Sequence, residues 1–256
     1  MTINSVLLKA EGYLAESDSR KYSNPVRNGL EISGFFNDSL EKVRTNFAPG
    51  KKNFIMRGTP VLAVDGNSVR FKGLANYLQT FWQESVAGTV MIVCATSDTL
   101  ADDAHRPAFF GTSTGLPANQ NINSTTFGVQ FRITSAGAVR LNVGHGADVA
   151  TDLQSSIAIT VVNHAAYELF LLEWPGDAGL DKITSITSGA TATWAGPAQA
   201  RFPTRNRFRI GSSFVTNQGE NDQMLIRGWR RALTQIEKDD EVADIKDYCL
   251  GRGVTI

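Results

Sequence analysis

Between Phe127 and Val143 the chain alternates apolar and polar residues with a period of two. Phe127, Val129, Phe131 and Ile133 interleave with Gly128, Gln130 and Arg132; Ser135-Ala136-Gly137 then turns the chain, and Val139, Leu141 and Val143 interleave with Arg140 and Asn142. Successive side chains of a strand point to opposite faces, so the pattern predicts a hairpin with one face in a core and one in solvent. A second hairpin is predicted where Asp65-Gly66 joins Val61-Leu62-Ala63-Val64 to Val69-Arg70-Phe71, because a tight type I′ turn needs positive φ at both central residues. A third is expected from Ile157–Val162 meeting Tyr167–Phe170 across Asn163-His164-Ala165-Ala166.

Thr89 to Ala95 and Leu169 to Leu172 are short, continuously apolar runs, as strands covered on both faces would be. Further strands are expected near Pro107–Thr112, Lys182–Thr187, Arg207–Gly211 and Met224–Trp229. Many short strands without alternating helices predict an all-β antiparallel sandwich rather than a parallel sheet. One helix stands apart: Thr234-Gln235-Ile236-Glu237 is a capping box, Val242, Ile245 and Cys249 share a face, and Gly251 and Gly253 stop it, giving a C-terminal helix over 234–250.

The first 45 residues lack the strand pattern. Phe35 to Val43 reads as a short helix capped near Asn37 or Asp38, and residues 1–45 as an N-terminal arm preceding a sandwich over 46–256. Leu30, Ile32, Phe35 and Phe36 need a surface to bury against, which predicts a homo-oligomer, a trimer being the expected state, organised partly by this arm.

At 256 residues the chain is long enough for one substantial core, and its 25 Lys and Arg balance 25 Asp and Glu. No charge excess draws it to nucleic acid or an anionic membrane. The start offers three consecutive apolar residues, Val6-Leu7-Leu8, too few for a signal-peptide core, and no stretch approaches a membrane span. Synthesis in the cytoplasm without a signal peptide is the expectation. Cys94 and Cys249 are too few for a disulfide framework; two buried thiols are expected, with a single bridge as the alternative.

The sequence carries little that would support catalysis. No pair of acidic residues alternates along one strand as in a sandwich glycosidase, and Glu173 beside Trp174 stands alone. His105, His145 and His164 have no metal or triad spacing, and Gly144-His145-Gly146 reads as a turn. The chain is not expected to be an enzyme or to need a cofactor. Asp98–Asp103 and Asp177–Asp181 are oxygen-rich loops of the kind that hold calcium in lectin sandwiches, and equally ordinary loop composition. Trp82, Trp174 and Trp194, at expected strand ends or turns, are candidates to stack on a sugar ring, with Asp102 and Asp177 as hydrogen-bonding neighbours; each indole could equally cap the core. Trp229 reads as core, and Arg201, Arg205, Arg207 and Arg209 as a local basic surface or a solvated strand face.

Ile226-Arg227-Gly228-Trp229-Arg230-Arg231-Ala232-Leu233-Thr234-Gln235-Ile236-Glu237 resembles the closing segment of concanavalin A-like (laminin G-like) jelly rolls, where a last strand runs into a capped helix. Asn46–Gly50, Gly58–Val61, Val69–Gly73 and Asn76–Thr80 resemble the opening of such lectin or glucanase domains in bacteriophage and prophage tail proteins. The resemblance implies a jelly roll whose loops or concave face bind bacterial surface polysaccharide, a place in the virion tail fibre, and other tail proteins as partners. A structural tail or baseplate component without glycan binding is the alternative, and a polysaccharide depolymerase a further one.

Overall fold

The computed structural model describes residues 24–64, 66–113, 128–135, 138–146, 153–176, 179–197, 200–201, 203–214 and 216–256. Its strands are β1 (Leu30–Phe35), β2 (Ile55–Arg57), β3 (Val61–Leu62), β4 (Val69–Lys72), β5 (Tyr77–Gln83), β6 (Gly88–Ala95), β7 (Ala108–Gly111) and β8 (Val129–Ser135). They continue with β9 (Ala138–His145), β10 (Leu153–Thr160), β11 (Glu168–Trp174), β12 (Lys182–Ser185), β13 (Thr191–Thr193), β14 (Arg207–Ile210) and β15 (Glu220–Trp229). Helix α1 spans Leu40–Arg44 and α2 Gln235–Leu250. One antiparallel sheet runs β13-β12-β11-β6-β15-β4-β3 with β1 also on β15; the other runs β10-β9-β8-β7-β14-β5-β2. The chain is therefore an all-β sandwich closed by one C-terminal helix.

Two cores explain the burial patterns. Between the sheets, Val90, Ile92, Phe170, Leu172 and Ile226 meet Phe110, Val129, Phe131, Leu141, Val143 and Phe208. On the far side of the eight-stranded sheet, Met91, Val93, Leu169, Leu171, Leu225 and Trp229 pack against Ile245, Tyr248 and Cys249 of α2. Strands β6 and β11 are thus covered on both faces, which is why their sequences run apolar without alternation. The seven-stranded sheet carries its apolar residues on the face towards the other sheet, so β5 and β10 alternate between buried and more exposed positions, while on β8 and β9 the outward Gln130 and Asn142 are also buried.

Helix α2 begins as expected. Thr234 is its N-cap, its hydroxyl accepting from the Glu237 N–H while the Glu237 carboxylate accepts from the Thr234 N–H. An ion cluster fixes it to the sheet: Arg227 of β15 donates to Glu241, and through Nη2 to Asp244 at 2.6 Å, while Glu241 also accepts the Val26 N–H at 2.7 Å. Glu173 is likewise tied to α2, 2.9 Å from the Lys238 ammonium. Both cysteines are unpaired and buried in separate cores, and burial pushes the Cys249 thiol up to about 12.

Three expectations change. Residues 30–44 are not an arm: β1 pairs with β15 in register Phe35↔Leu225, and Leu30, Ile32, Phe35 and Phe36 bury against their own chain, because β15 has an unpaired edge beyond β4 that β1 fills. That removes the apolar surface on which the oligomer expectation rested. Phe35 ends a strand, and the short helix starts later, capped by Ser39, whose hydroxyl accepts from the Lys42 N–H. The third hairpin does not form: β10 pairs with β9 while β11 pairs with β6 and β12, so residues 161–167 cross between sheets. The burial patterns carry the reason. In β10 Ile157 and Ile159 alternate with exposed Ala158 and Thr160, as suits a sheet covered on one side, whereas β11 is buried almost throughout. The other two hairpins form as expected, β8 with β9 and β3 with β4, although Asp65, Phe127, Ala136 and Gly137 lie outside the described residues. No helix among the described residues is long and apolar enough to cross a membrane.

Candidate binding face

Side-chain parity along β5 decides which aromatics reach solvent. Leu78, Thr80, Trp82 and the following Glu84 point into the sandwich, while Tyr77, Gln79, Phe81 and Gln83 point out. Trp82, 4% exposed, stacks on Trp174, 0% exposed, at 6.1 Å and 21°, with Phe208 4.4 Å from Trp82. Neither indole can meet a sugar without opening the core, which corrects the expectation for Trp82 and Trp174; Trp174 shares the parity of Phe170 and Leu172. Trp229 is core as expected, its Nε1 donating to the Val26 carbonyl at 2.9 Å.

Trp194 remains accessible. It lies half-buried just beyond β13 with its ring over Gly196 and Nε1 3.4 Å from the Pro197 carbonyl. A Cβ on Gly196 would fall 2.3 Å from that ring, so a larger residue there would displace the indole. Asp102 lies at the opposite end of the sandwich from Trp194, where it accepts from the Ala104 N–H at 2.9 Å and pairs with His105 Nδ1 at 2.7 Å. The His105 bond holds the Asp102 carboxyl below the usual range and raises the His105 imidazole. Asp177 lies outside the described residues. Among the described residues no group of three or more His, Cys, Asp or Glu side chains could hold a metal ion; Asp98 instead accepts the Thr99 and Glu220 N–H groups.

At the Trp174 end the gap between sheets holds buried polar groups. Arg201 donates to Glu84, which also accepts from the Thr112 and Thr204 hydroxyls at 2.6 and 2.8 Å. His145 Nε2 lies 2.6 Å from Asp181 Oδ2, the same oxygen that accepts the Ser155 hydroxyl. The three residue types are those of a hydrolase triad, but the serine bonds the aspartate rather than the imidazole, so the histidine is not placed to take its proton. These are structural networks that close the end of the sandwich. Arg201, read from sequence as part of a basic surface, is buried within one of them.

On the outer face of the seven-stranded sheet, β5 and β14 present aromatic rings beside cations. Phe81, 36% exposed, has the Lys52 ammonium and the Arg207 guanidinium each 5.2 Å from its ring centre. Beside it Arg209 lies 4.6 Å from the Tyr77 ring and 3.5 Å from that of Phe214, and Gln79 donates to the Arg207 and Phe208 carbonyls at 3.1 Å. Phe81 borders a depression of about 700 Å³ that also includes Gln83, Ser85, Val86, Pro203 and the Arg230 guanidinium, which lies 3.8 Å from the Glu31 carboxylate of the same lining. An apolar ring beside amide, hydroxyl and guanidinium groups is the combination that fits a sugar, whose C–H faces are apolar and whose rim is hydroxylic. Sequence reading missed Phe81 because it weighed tryptophans alone; the Tyr77-x-Gln79-x-Phe81-x-Gln83 alternation was the available signal.

No protein-family model matches the chain, and no curated protein matches it significantly. Solved structures do. The receptor-binding domain of botulinum neurotoxin D superposes with a TM-score of 0.56 at 8% identity, covering 86% of this chain and 53% of that one. The binding domain of botulinum neurotoxin DC in complex with SialylT gives 0.58 at 7% identity, covering 86% and 51%. A structure on the cell entry of botulinum neurotoxin type C, described as dependent upon interaction with two ganglioside molecules, gives 0.54 at 7% identity, covering 86% and 51%. The chain thus spans about half the length of each. At such identity the likeness shows a shared β-sandwich fold alone, and these neighbours are botulinum neurotoxin structures rather than phage tail proteins.

Proposed function

We propose that the protein is a non-enzymatic carbohydrate-binding module that recognises a bacterial surface glycan, displayed in several copies as part of a phage-tail-like assembly. The observation that carries the glycan reading is the half-exposed Phe81 ring, bordering a depression of about 700 Å³ at the end of the sandwich, between the β5–β6 connection with Gln83 and Ser85 and the Glu31 and Arg230 side chains of the eight-stranded sheet. Trp194, at the same end, is a second stacking surface. Structures of this fold include the receptor-binding domain of botulinum neurotoxin D and one reported for a toxin whose cell entry depends upon interaction with two ganglioside molecules, which supports a recognition role. The tail assignment rests on the resemblance of residues 46–80 and 226–237 to tail-protein jelly rolls. Single sites of this type bind weakly, and several copies on one particle raise avidity by about 10² or more.

The test is adsorption of the purified protein to candidate host cells, with Phe81→Ala and Trp194→Ala variants and with cells stripped of polysaccharide. Phe81→Ala is expected to lower saccharide affinity about tenfold, the loss of one aromatic contact. Adsorption that survives both substitutions and the stripping refutes the reading and favours a structural tail component. Release of reducing ends from host polysaccharide favours the depolymerase.

A further inference from the structure

On the outer face of the seven-stranded sheet, away from Phe81, two arginines stand directly opposite each other on neighbouring strands: Arg132 of β8 and Arg140 of β9 are register partners. Cβ atoms in such pairs lie about 4.5–5.5 Å apart, and like charges there destabilise a sheet. Among the described residues no carboxylate lies within ion-pair distance of either. The nearby charges on Arg132 are Arg140, Arg106 and Asp103, three guanidiniums in all against one carboxylate that already faces Arg106 at 3.7 Å. The Nε atoms of both Arg132 and Arg140 are buried without a hydrogen-bond partner.

A third donor joins them. Asn217, fully buried, reaches over β8 from the loop after β14, and its Oδ1 accepts from Gln130 Nε2 at 3.3 Å, Arg132 Nη1 at 3.4 Å and the Thr216 hydroxyl at 3.2 Å. Those donors orient the amide, so its Nδ2 is the end left over, and it has no acceptor. Thr216 and Asn217 both hold positive φ, +53° and +54°, a strained backbone for non-glycine residues that places this side chain. On the other flank the register partner of Arg140 is exposed Ala158, whose methyl leaves room beside the guanidinium.

We infer that Arg132, Arg140 and the Asn217 amide form an oxyanion-binding site that takes a carboxylate or sulfate group. An oxyanion between the two forks would receive charge-assisted hydrogen bonds from both, satisfy the unpaired N–H groups and relieve the repulsion across the rung. The site stands independently of the Phe81 depression, and it extends the class of fitting saccharide to acidic ones.

The experiment titrates the full chain with inorganic sulfate, methyl glucuronide and neutral methyl glucoside by calorimetry, and records Tm in chloride buffer. Sulfate or the glucuronide is expected to bind and the glucoside not to bind at this site. Arg140→Gln and Asn217→Ala should each weaken anion binding about tenfold, the loss of one hydrogen bond to a charged group. Arg140→Gln should also raise Tm in chloride, since it removes a like-charge neighbour. Tighter binding of the glucuronide than of sulfate identifies a saccharide-borne carboxylate; the reverse identifies a free oxyanion. Absence of anion binding, binding unchanged in both variants, or a lower Tm for Arg140→Gln in chloride overturns the inference. Glucoside binding lost only in Phe81→Ala would report on the depression and leave this site to be judged by the anions.

Discussion

Removing Glu241 should cost more stability than any other single substitution on α2. Its carboxylate is fully buried and serves two partners, the Arg227 guanidinium and the Val26 N–H, which lie on β15 and ahead of β1. Glu241→Ala takes one carboxylate partner from the equally buried Arg227, which keeps its contact with Asp244, and removes the acceptor of the Val26 N–H. Breaking a buried pair from one side costs about 3–5 kcal/mol, because the remaining charge has lost its water as well as its partner. That is a large share of the roughly 5–15 kcal/mol by which domains are stable. With a urea m-value of about 3 kcal/mol/M the midpoint should fall by about 1–1.7 M at unchanged slope. The double replacement Arg227→Met with Glu241→Leu should recover most of the loss, since both desolvation penalties disappear together. A loss below about 1 kcal/mol for Glu241→Ala, or a double variant no better than the single, would refute the reasoning.

Thr234→Ala should remove the α2 cap and cost about 1 kcal/mol, read as a denaturation midpoint. The Arg231 guanidinium pulls the Glu237 carboxyl down from its ordinary 4.5 to about 2, so its contribution is present above pH 4.5 and lost as pH falls towards 2; Glu237→Gln should flatten that part of the stability–pH curve. Burial shifts Glu241 the opposite way, so the folded state holds that proton more tightly and its contribution declines as pH rises through the window just above 4.5. Gly88→Ala should destabilise by about 1–3 kcal/mol in thermal unfolding, because its Cβ would fall 2.3 Å from the Trp174 ring. Iodide should quench Trp194 fluorescence in the native protein and spare Trp82, Trp174 and Trp229; quenching unchanged in Trp194→Phe would contradict the assignment of burial.

Local signals were legible wherever one residue pattern permits one backbone. Period-two alternation at 129–143 specifies a half-buried hairpin, and the Thr234–Glu237 capping box specifies where α2 starts, because both patterns act within a few residues of themselves. The continuous apolar runs in β6 and β11 correctly signalled burial on two sides. The same parity rule, applied to β5 and β11, would have turned Trp82 and Trp174 inward and Phe81 outward.

What only the tertiary structure decided were the pairings between segments far apart in the chain. Nothing near Leu30–Phe35 shows that its partner is β15, and although alternation in β10 and the apolar run of β11 suit different sheets, nothing near Ile157 or Leu169 names β9 and β6 as their partners. The Arg132–Arg140 rung could be read from the hairpin itself, but the arrival of Asn217 from the loop after β14 could not. Periodicity states which face of a strand is apolar; which surface covers that face depends on the closure of every other strand around a shared core, and that is settled only when the whole chain competes to bury its apolar area.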